Sequence, residues 1–358
     1  MLLHGIYPAL TTPFYPDGRV YYRKIEHNVD RYSRTPVTGL VVLGSTGEAV
    51  MLSDEERREV LRESRAFASK EKVLVAGTGA ESAIETLRLT GYAAELGYDV
   101  ALVRTPHFYR AQMTAGAAGV KTQIAFYSHV ADQSALPLLL YSVPPFTGFD
   151  LPVEVVAELA GHPNIIGLKE SSGNVERVRE LVAATRSSKK TFVVTPEFEA
   201  ATGRMLDPGR ESGPKPLVQI TGDGGTATAV LASAMPASVT KTRTKEAGFQ
   251  IMVGAAHKLL PSLQAGAVGG VMAFADPAPT ACFEVYAAWR DSDLNLAELK
   301  QDRITQAAEQ MASRYGIAGI KYAMELNGYY GGTCRSPLLP LTGEDRVGIE
   351  TLMKDVSN

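Results

Sequence analysis

The sequence predicts an α/β protein, a (β/α)8 TIM barrel with a C-terminal helical appendix and an insertion before strand 7, and three observations lead to it. Eight short apolar runs, at residues 5–10, 39–43, 73–76, 99–103, 138–141, 165–168, 250–253 and 269–274, are rich in Val, Ile and Leu and show no polar alternation. Strands buried on both faces read this way, as in a parallel sheet covered by helices. Helical patterns alternate with the runs, and eight strand–helix units is the count of a barrel. The segments with unusual chemistry each follow directly on a run, which is where barrel enzymes carry their sites.

The helices show start signals. Ser53 and Glu56 form a capping box ahead of Val60 and Leu61. Asp150 precedes Pro152, which suits a first helical turn. Asn174 precedes Val175, Val178, Leu181 and Val182 at helical spacing. Residues 187–248 break the rhythm, standing where a helix-to-strand loop of ~2–6 residues is usual. Within them, residues 191–195 and 217–221 read as short strands. Residues 222–226 read as a turn and lack the Gly-Lys-Ser/Thr ending of a phosphate loop. An excursion between a helix and the next strand should leave from the N-terminal face, opposite the usual active site. We therefore expect residues 1–279 to form the barrel with this excursion, and residues 280–358 a C-terminal helical extension.

Composition narrows the function classes. A net charge of -3 gives no reason to expect nucleic acid or an anionic membrane as partner. Two cysteines, Cys282 and Cys334, cannot build a disulfide framework and fit a reducing compartment. No run approaches the ~18 apolar residues that span a bilayer, and residues 1–5 lack a signal-peptide pattern. The expectation is a cytoplasmic enzyme.

Lys169 closes the sixth run and Tyr141 the fifth. A lysine at the inner end of a parallel strand can shed its charge through desolvation and attack a carbonyl carbon. A neighbouring tyrosine can carry protons to and from the adduct. Each alone is ordinary strand-end chemistry or core filler. Further segments change their weight: Gly44-Ser45-Thr46-Gly47-Glu48 after the second run, Thr105 to Arg110 after the fourth, Tyr141 to Gly148 after the fifth, and Lys169 to Asn174 at the end of the sixth. Gly-Ser-Thr-Gly offers backbone N–H groups and two hydroxyls, a fit for a small carboxylate. Gly77-Thr78-Gly79 reads as a tight turn. The six histidines show no metal-binding spacing, although His107 and His257 fall near the rim.

Gly44 to Glu48, Tyr141-Ser142-Val143-Pro144, Gly167 to Asn174 and Gly266 to Gly270 together resemble the dihydrodipicolinate synthase/N-acetylneuraminate lyase family. The likeness runs over residues 5 to about 186 and 249 to about 340. It implies a class I pyruvate aldolase on a (β/α)8 barrel, a homodimer or homotetramer, with a small 2-oxo acid as substrate and neither cofactor nor metal. It also implies that Lys169 forms a Schiff base and Tyr141 shuttles protons. Ser45, Thr46 and Gly47 would hold the carboxylate of the pyruvate moiety, with Ser171 beside them. Within the family the sequence looks most like 4-hydroxy-2-oxoglutarate aldolase, in Leu140 to Pro144, Thr147 to Pro152, Arg314 to Ile317 and Tyr329 to Pro337. That reading gives cleavage of 4-hydroxy-2-oxoglutarate to pyruvate and glyoxylate. Dihydrodipicolinate synthase, another pyruvate aldolase or hydratase-aldolase, and a silent 2-oxo-acid-binding protein are the rivals.

Two departures stand out. The synthases carry a carboxylate-binding arginine before the Thr-Gly of the strand-five motif, and here that residue is Phe146. The family's second tyrosine, contributed across a subunit interface, aligns with Phe108. Tyr109 follows one residue later, and it, His107 or ordered water is the expected replacement in the proton relay.

Overall fold

The computed structural model describes residues 1–207 and 240–356. Eight parallel strands form one sheet in the order β1 (Gly5–Pro8), β10 (Gly269–Met272), β9 (Gln250–Val253), β6 (Ile165–Glu170), β5 (Leu138–Ser142), β4 (Val100–Arg104), β3 (Val73–Gly77) and β2 (Gly39–Val42). The two ends of this order meet. Leu10 N donates to Val41 O at 2.9 Å and Thr38 N to Ile6 O at 2.9 Å, so β1 adjoins β2 and the sheet closes. Each of the eight apolar runs carries one barrel strand. Alternate residues face inward, where Val73, Val75, Val100, Leu102, Leu139 and Tyr141 pack together. Their neighbours Leu74, Ala101, Leu138 and Leu140 face outward against the helices. This is why the runs show no polar alternation: neither face meets water.

The helices around the barrel are α1 (Tyr22–Ser33), α2 (Asp54–Phe67), α3 (Ala83–Leu96), α5 (Gly116–Gln133), α7 (Val153–Leu159), α8 (Val175–Thr185), α10 (Leu259–Gln264) and α11 (Pro279–Arg290), with single turns at α4 (Arg110–Met113), α6 (Pro144–Thr147) and α9 (Gly203–Leu206). The Ser53–Glu56 capping box forms as read, with Ser53 Oγ accepting from Glu56 N at 3.2 Å and Ser53 N donating to Glu56 Oε2 at 2.9 Å. Asn174 caps α8 by accepting from Glu176 N at 3.0 Å. Pro152 is the N-cap of α7 rather than part of its first turn. Gly77 and Gly79 correct the expected tight turn. A side chain at Gly77 would meet Leu43 O at 2.1 Å and one at Gly79 would meet Arg104 N at 2.5 Å. These glycines let neighbouring backbones approach rather than reverse the chain.

The excursion begins with β7 (Lys189–Val194), which pairs antiparallel with β8 (Arg243–Gly248) from Lys189 opposite Gly248 to Val194 opposite Arg243. Residues 191–194 of the run at 191–195 thus lie in a strand, and its partner strand carried no apolar signal. Residues 217–221 and 222–226, read as a strand and a turn, lie outside the described residues. The excursion packs against the N-terminal face. Thr202 Oγ1 donates to Lys70 O at 2.5 Å, Gly203 N donates to Asp99 Oδ1 at 3.0 Å, and the buried Arg204 guanidinium reaches Ser69 O at 3.2 Å. All three acceptors precede a barrel strand. The same face is plugged by Gln250, which accepts from Leu3 N at 2.6 Å and donates to Met1 O at 3.1 Å.

Beyond the barrel come α12 (Leu294–Gln310), one π-helical turn at Met311–Tyr315, α13 (Gly316–Leu326) and α14 (Gly343–Met353). No described helix is long and apolar enough to cross a membrane.

Candidate active site

A register shift places the central pair. Leu138 pairs with Ile165, but Leu139 pairs with Gly167 and Tyr141 with Lys169, so β6 carries one extra residue near its start. Because side chains alternate, one residue of slip exchanges the faces of everything beyond it. Without the shift Leu168 would stand beside Tyr141 and Lys169 would point outward. With it, Leu168 joins the outer layer and Lys169 turns inward beside Tyr141. Gly167 permits the close approach, since a side chain there would meet Gln250 O at 2.3 Å.

Lys169 and Tyr141 are 4% and 5% exposed, so the amine sits where water is scarce. Lys169 Nζ lies 4.3 Å from the centre of the Tyr141 ring. Tyr141 OH lies 3.4 Å from Ser45 Oγ, which links the lysine, the phenol and the Gly44–Glu48 loop. Glu170, next in the chain, faces the other way and is spent on Ser172 N at 2.6 Å and Arg177 Nε at 2.8 Å. It is no competitor for the Lys169 amine.

A cavity of about 220 Å3 opens above this pair. Ser45, Thr46, Tyr141, Lys169 and Ser171 all line it. Two candidates from the sequence do not. Gly47 lies behind the loop, its N–H donating to Gly44 O at 3.1 Å and its carbonyl accepting from Thr12 at 2.6 Å. Its amide is therefore used within the loop rather than offered to a ligand. Tyr109 is 65% exposed and packs edge-to-face on Phe108 with ring centres 5.2 Å apart. His107 sits with them, held by Glu81 at 2.9 Å and Arg104 at 2.8 Å. Both relay candidates stand away from the lysine cavity within one chain. Tyr141 and Ser45 also line a second space of about 250 Å3, whose far walls include Arg57, Glu81, Arg88 and Arg104.

The carboxylate loop is braced from behind. Glu48, with φ +54°, is buried and lies 2.5 Å from Lys321 Nζ on α13. Lys321 also donates to Thr12 O at 2.8 Å and Thr333 O at 2.7 Å. Burial lowers the Lys321 amine below its ordinary value and the Glu48 carboxylate opposes that shift. Glu48 accepts in addition from Arg335 N at 2.8 Å, and the Arg335 guanidinium grips Glu56 at 2.6 Å. The Tyr329 to Pro337 segment singled out in the sequence is thus a clamp on the loop.

Sequence reasoning missed several residues. Met311 and Ala312, at the junction of α12 and α13, roof the cavity beside Gly316 and Ile317 of the Arg314 to Ile317 motif. A π-helical turn there was the structural sign, and such turns gather at functional sites. Lys321 could have been noticed as a lone cation inside the apolar stretch Ile317 to Met324. Asp276 is fully buried with Oδ2 accepting from Thr11 N at 3.1 Å and Oδ1 without a partner among the described residues. Burial pushes its carboxyl well above the usual range, against the pull of that bond and of Lys169. His257, expected near the rim, does line the cavity.

Comparison with known proteins agrees with this geometry. Residues 2–213 and 231–356 match the model of the dihydrodipicolinate synthetase family. The chain is 28% identical over 355 residues to a 4-hydroxy-tetrahydrodipicolinate synthase of Acidiphilium cryptum, covering 98% of each chain. It is 44% identical over 194 residues to one of Xanthomonas axonopodis pv. citri, covering 54% of this chain and 61% of that one. A dihydrodipicolinate synthase of Acinetobacter baumannii, solved with pyruvate, superimposes with a TM-score of 0.76 at 26% identity over 99% of both chains. A dihydrodipicolinate synthase of Bacillus anthracis gives a TM-score of 0.77 at 21% identity over 100% of both. These names do not support the expected special likeness to 4-hydroxy-2-oxoglutarate aldolase. The chain belongs to the dihydrodipicolinate synthetase family, the pyruvate-dependent class I carbon–carbon lyases of the (β/α)8 fold.

Proposed function

We propose that Lys169 attacks the C2 carbonyl of pyruvate or of a 4-hydroxy-2-oxo acid, and that the chain makes or breaks the bond between C3 of pyruvate and an aldehyde carbon. The observation that carries this is the register-paired Lys169 and Tyr141, 4.3 Å apart at the floor of a cavity lined by Ser45 and Thr46. Ser45 and Thr46 hold the 2-oxo acid carboxylate through their hydroxyls. Tyr141 gives its proton to the departing carbinolamine oxygen, and water leaves. The resulting iminium is the electron sink, doing at nitrogen what a Lewis acid does at oxygen. The Tyr141 phenolate then takes the C4 hydroxyl proton as the C3–C4 bond breaks and the aldehyde departs. The enamine is protonated at C3, and water releases pyruvate and restores Lys169.

Borohydride reduction in the presence of pyruvate should fix a pyruvyl group on the peptide that contains Lys169. Absence of that adduct, or an adduct on another lysine, refutes the reading.

A second reading is favoured by the full-length match to relatives named 4-hydroxy-tetrahydrodipicolinate synthase. On it the aldehyde is aspartate semialdehyde and the working direction is condensation. Cleavage of 4-hydroxy-2-oxoglutarate, which the strand-five and C-terminal motifs suggest, is not the activity in the names of the relatives reported above. Comparison of kcat/KM for the two reactions separates them.

A further inference from the structure

We propose that the N-terminal face of the barrel carries a second ligand site, separate from the Lys169 cavity, that takes a planar aromatic anion. A space of about 780 Å3 opens there between the barrel, the excursion and α11, against about 220 Å3 above Lys169. Its floor includes His4, Thr38 and Lys72, the residues that immediately precede β1, β2 and β3. Lys169 stands at the other end of the barrel, and the two spaces share no lining residue among those described. The volume suits a drug-sized molecule, for which a mainly apolar wall with a few placed polar groups is the usual setting.

One wall is a row of rings. Phe283, Tyr286 and Trp289 recur every third residue on α11, a spacing that makes neighbours on a helix surface. Their ring centres are 6.2 and 5.9 Å apart. Phe283 and Trp289 are only partly buried, so ring surface stays open to the space. Phe198 adds a fourth ring from the turn after β7, and it is 45% exposed. Its backbone is left-handed, with φ +64°, which a bulky residue rarely adopts. The turn is fixed by Thr195 N donating to Glu199 O at 2.9 Å and Phe198 N donating to Thr195 O at 3.0 Å. A strained residue that holds a large apolar ring out of the core fits a ligand clamp, where such strain gathers.

Charge selects the ligand. The Arg243 guanidinium lies 3.3 Å and Lys245 Nζ 5.2 Å from the centre of the Phe198 ring. Neither cation is paired with a carboxylate among the described residues: Arg243 donates to Pro196 O, and Glu246 of the same strand is taken by Lys189 at 2.9 Å. Lys72 and Arg290, which also line the space, are engaged by Thr35 O and Val37 O and by Asp291. The Lys245 charge is felt inside the space, since burial first and Lys245 second hold the His4 imidazole down at about 4. Glu71, Glu197 and Glu199 border the same space and make an aromatic cation the rival occupant. All three are exposed to water, which screens them, whereas Lys245 is half-buried in the wall.

Trp289 is the only tryptophan in the sequence, so its fluorescence reports on this site. The test uses the full chain and 8-anilinonaphthalene-1-sulfonate, with N-phenyl-1-naphthylamine as the same aromatic body without the charge. Energy transfer from Trp289 to the sulfonate should follow a single-site curve, and the neutral probe should bind about 10-fold more weakly, the ratio expected of one charge-assisted contact. Lys245→Gln should remove that difference and leave the neutral probe's affinity unchanged, which a general loss of folding would not do. Phe198→Gly suits the left-handed backbone and removes the ring, so it should weaken both probes. 1-Naphthoate should displace the sulfonate about 10-fold better than 1-naphthylmethylamine. Trapping pyruvate on Lys169 with borohydride should leave probe binding unchanged; if no adduct forms, the Schiff-base reading falls and this site is still judged by the probes and variants. Equal affinity for the two probes, better displacement by the amine, or loss of binding once Lys169 is trapped overturns the inference. So does binding that appears only when a short Gly-Ser linker replaces residues 208–239, which would make that segment the occupant.

Discussion

Lys321→Met is the perturbation that most directly probes how the site is braced. Methionine matches the length and apolar stem of lysine but removes the charge and three donors. The Glu48 carboxylate, 1% exposed, would lose its ion partner at 2.5 Å and keep only Arg335 N at 2.8 Å. Two carbonyls, Thr12 O and Thr333 O, would lose their donor as well. Breaking a buried pair on one side costs about 3–5 kcal/mol, because a charge is left without compensation. At no more than ~2 °C per kcal/mol for a chain of this length, the melting temperature should fall by roughly 5–10 °C. Glu48→Gln in the Lys321→Met background removes the stranded charge and should recover about half of the loss. Circular dichroism melts of wild type, both single variants and the double variant give the coupling. Glu48 ends the loop that carries Ser45 and Thr46, so Lys321→Met should also raise KM for pyruvate more than it lowers kcat. A melting temperature within about 2 °C of wild type, or strict additivity in the cycle, would refute the brace.

Three further outcomes follow from the structure. Asp276→Asn should stabilise the protein increasingly as pH rises above ~4, because burial raises the native carboxyl pKa while the unfolded one ionises first; equal denaturant midpoints for the two proteins at pH 5 and pH 8 would contradict this. His4 is pushed down to about 4 by burial and by Lys245, so its contribution is intact above ~6.5 and is lost as pH falls toward 4; His4→Gln should flatten that part of the stability profile, and an unchanged profile would place the acid transition elsewhere. Thr240 Oγ1 donates to Met205 O at 3.1 Å, so the chain ends on either side of residues 208–239 lie together; a short Gly-Ser linker in place of those residues should preserve the borohydride-trapped adduct on Lys169, and a folded variant that forms none would tie the segment to the chemistry.

Much of this protein was legible in one dimension because the relevant signals are local. Strands buried on both faces write unbroken Val, Ile and Leu runs, and the capping residues Ser53 and Asn174 act within three positions of themselves. That Lys169, Tyr141, Ser45 and Thr46 share one cavity could be read because each sits at or just after the end of such a run, and a barrel brings those ends to one rim. Gly47 was misjudged, as its neighbours' pattern does not say that its amide is already used by Gly44. β8 was invisible because Arg243 to Gly248 is largely exposed and pairs with one partner strand, so it needs no apolar code. Tertiary structure alone decided the rest. The slip between β5 and β6 turns Lys169 inward through a pairing choice between strands, which alternation within either strand does not record. The brace joins Glu48 to Lys321, and the cavity roof joins β6 to the π-helical turn after α12. Such contacts link residues far apart in the chain, and their free energy depends on distance and burial, which exist only once the chain has folded.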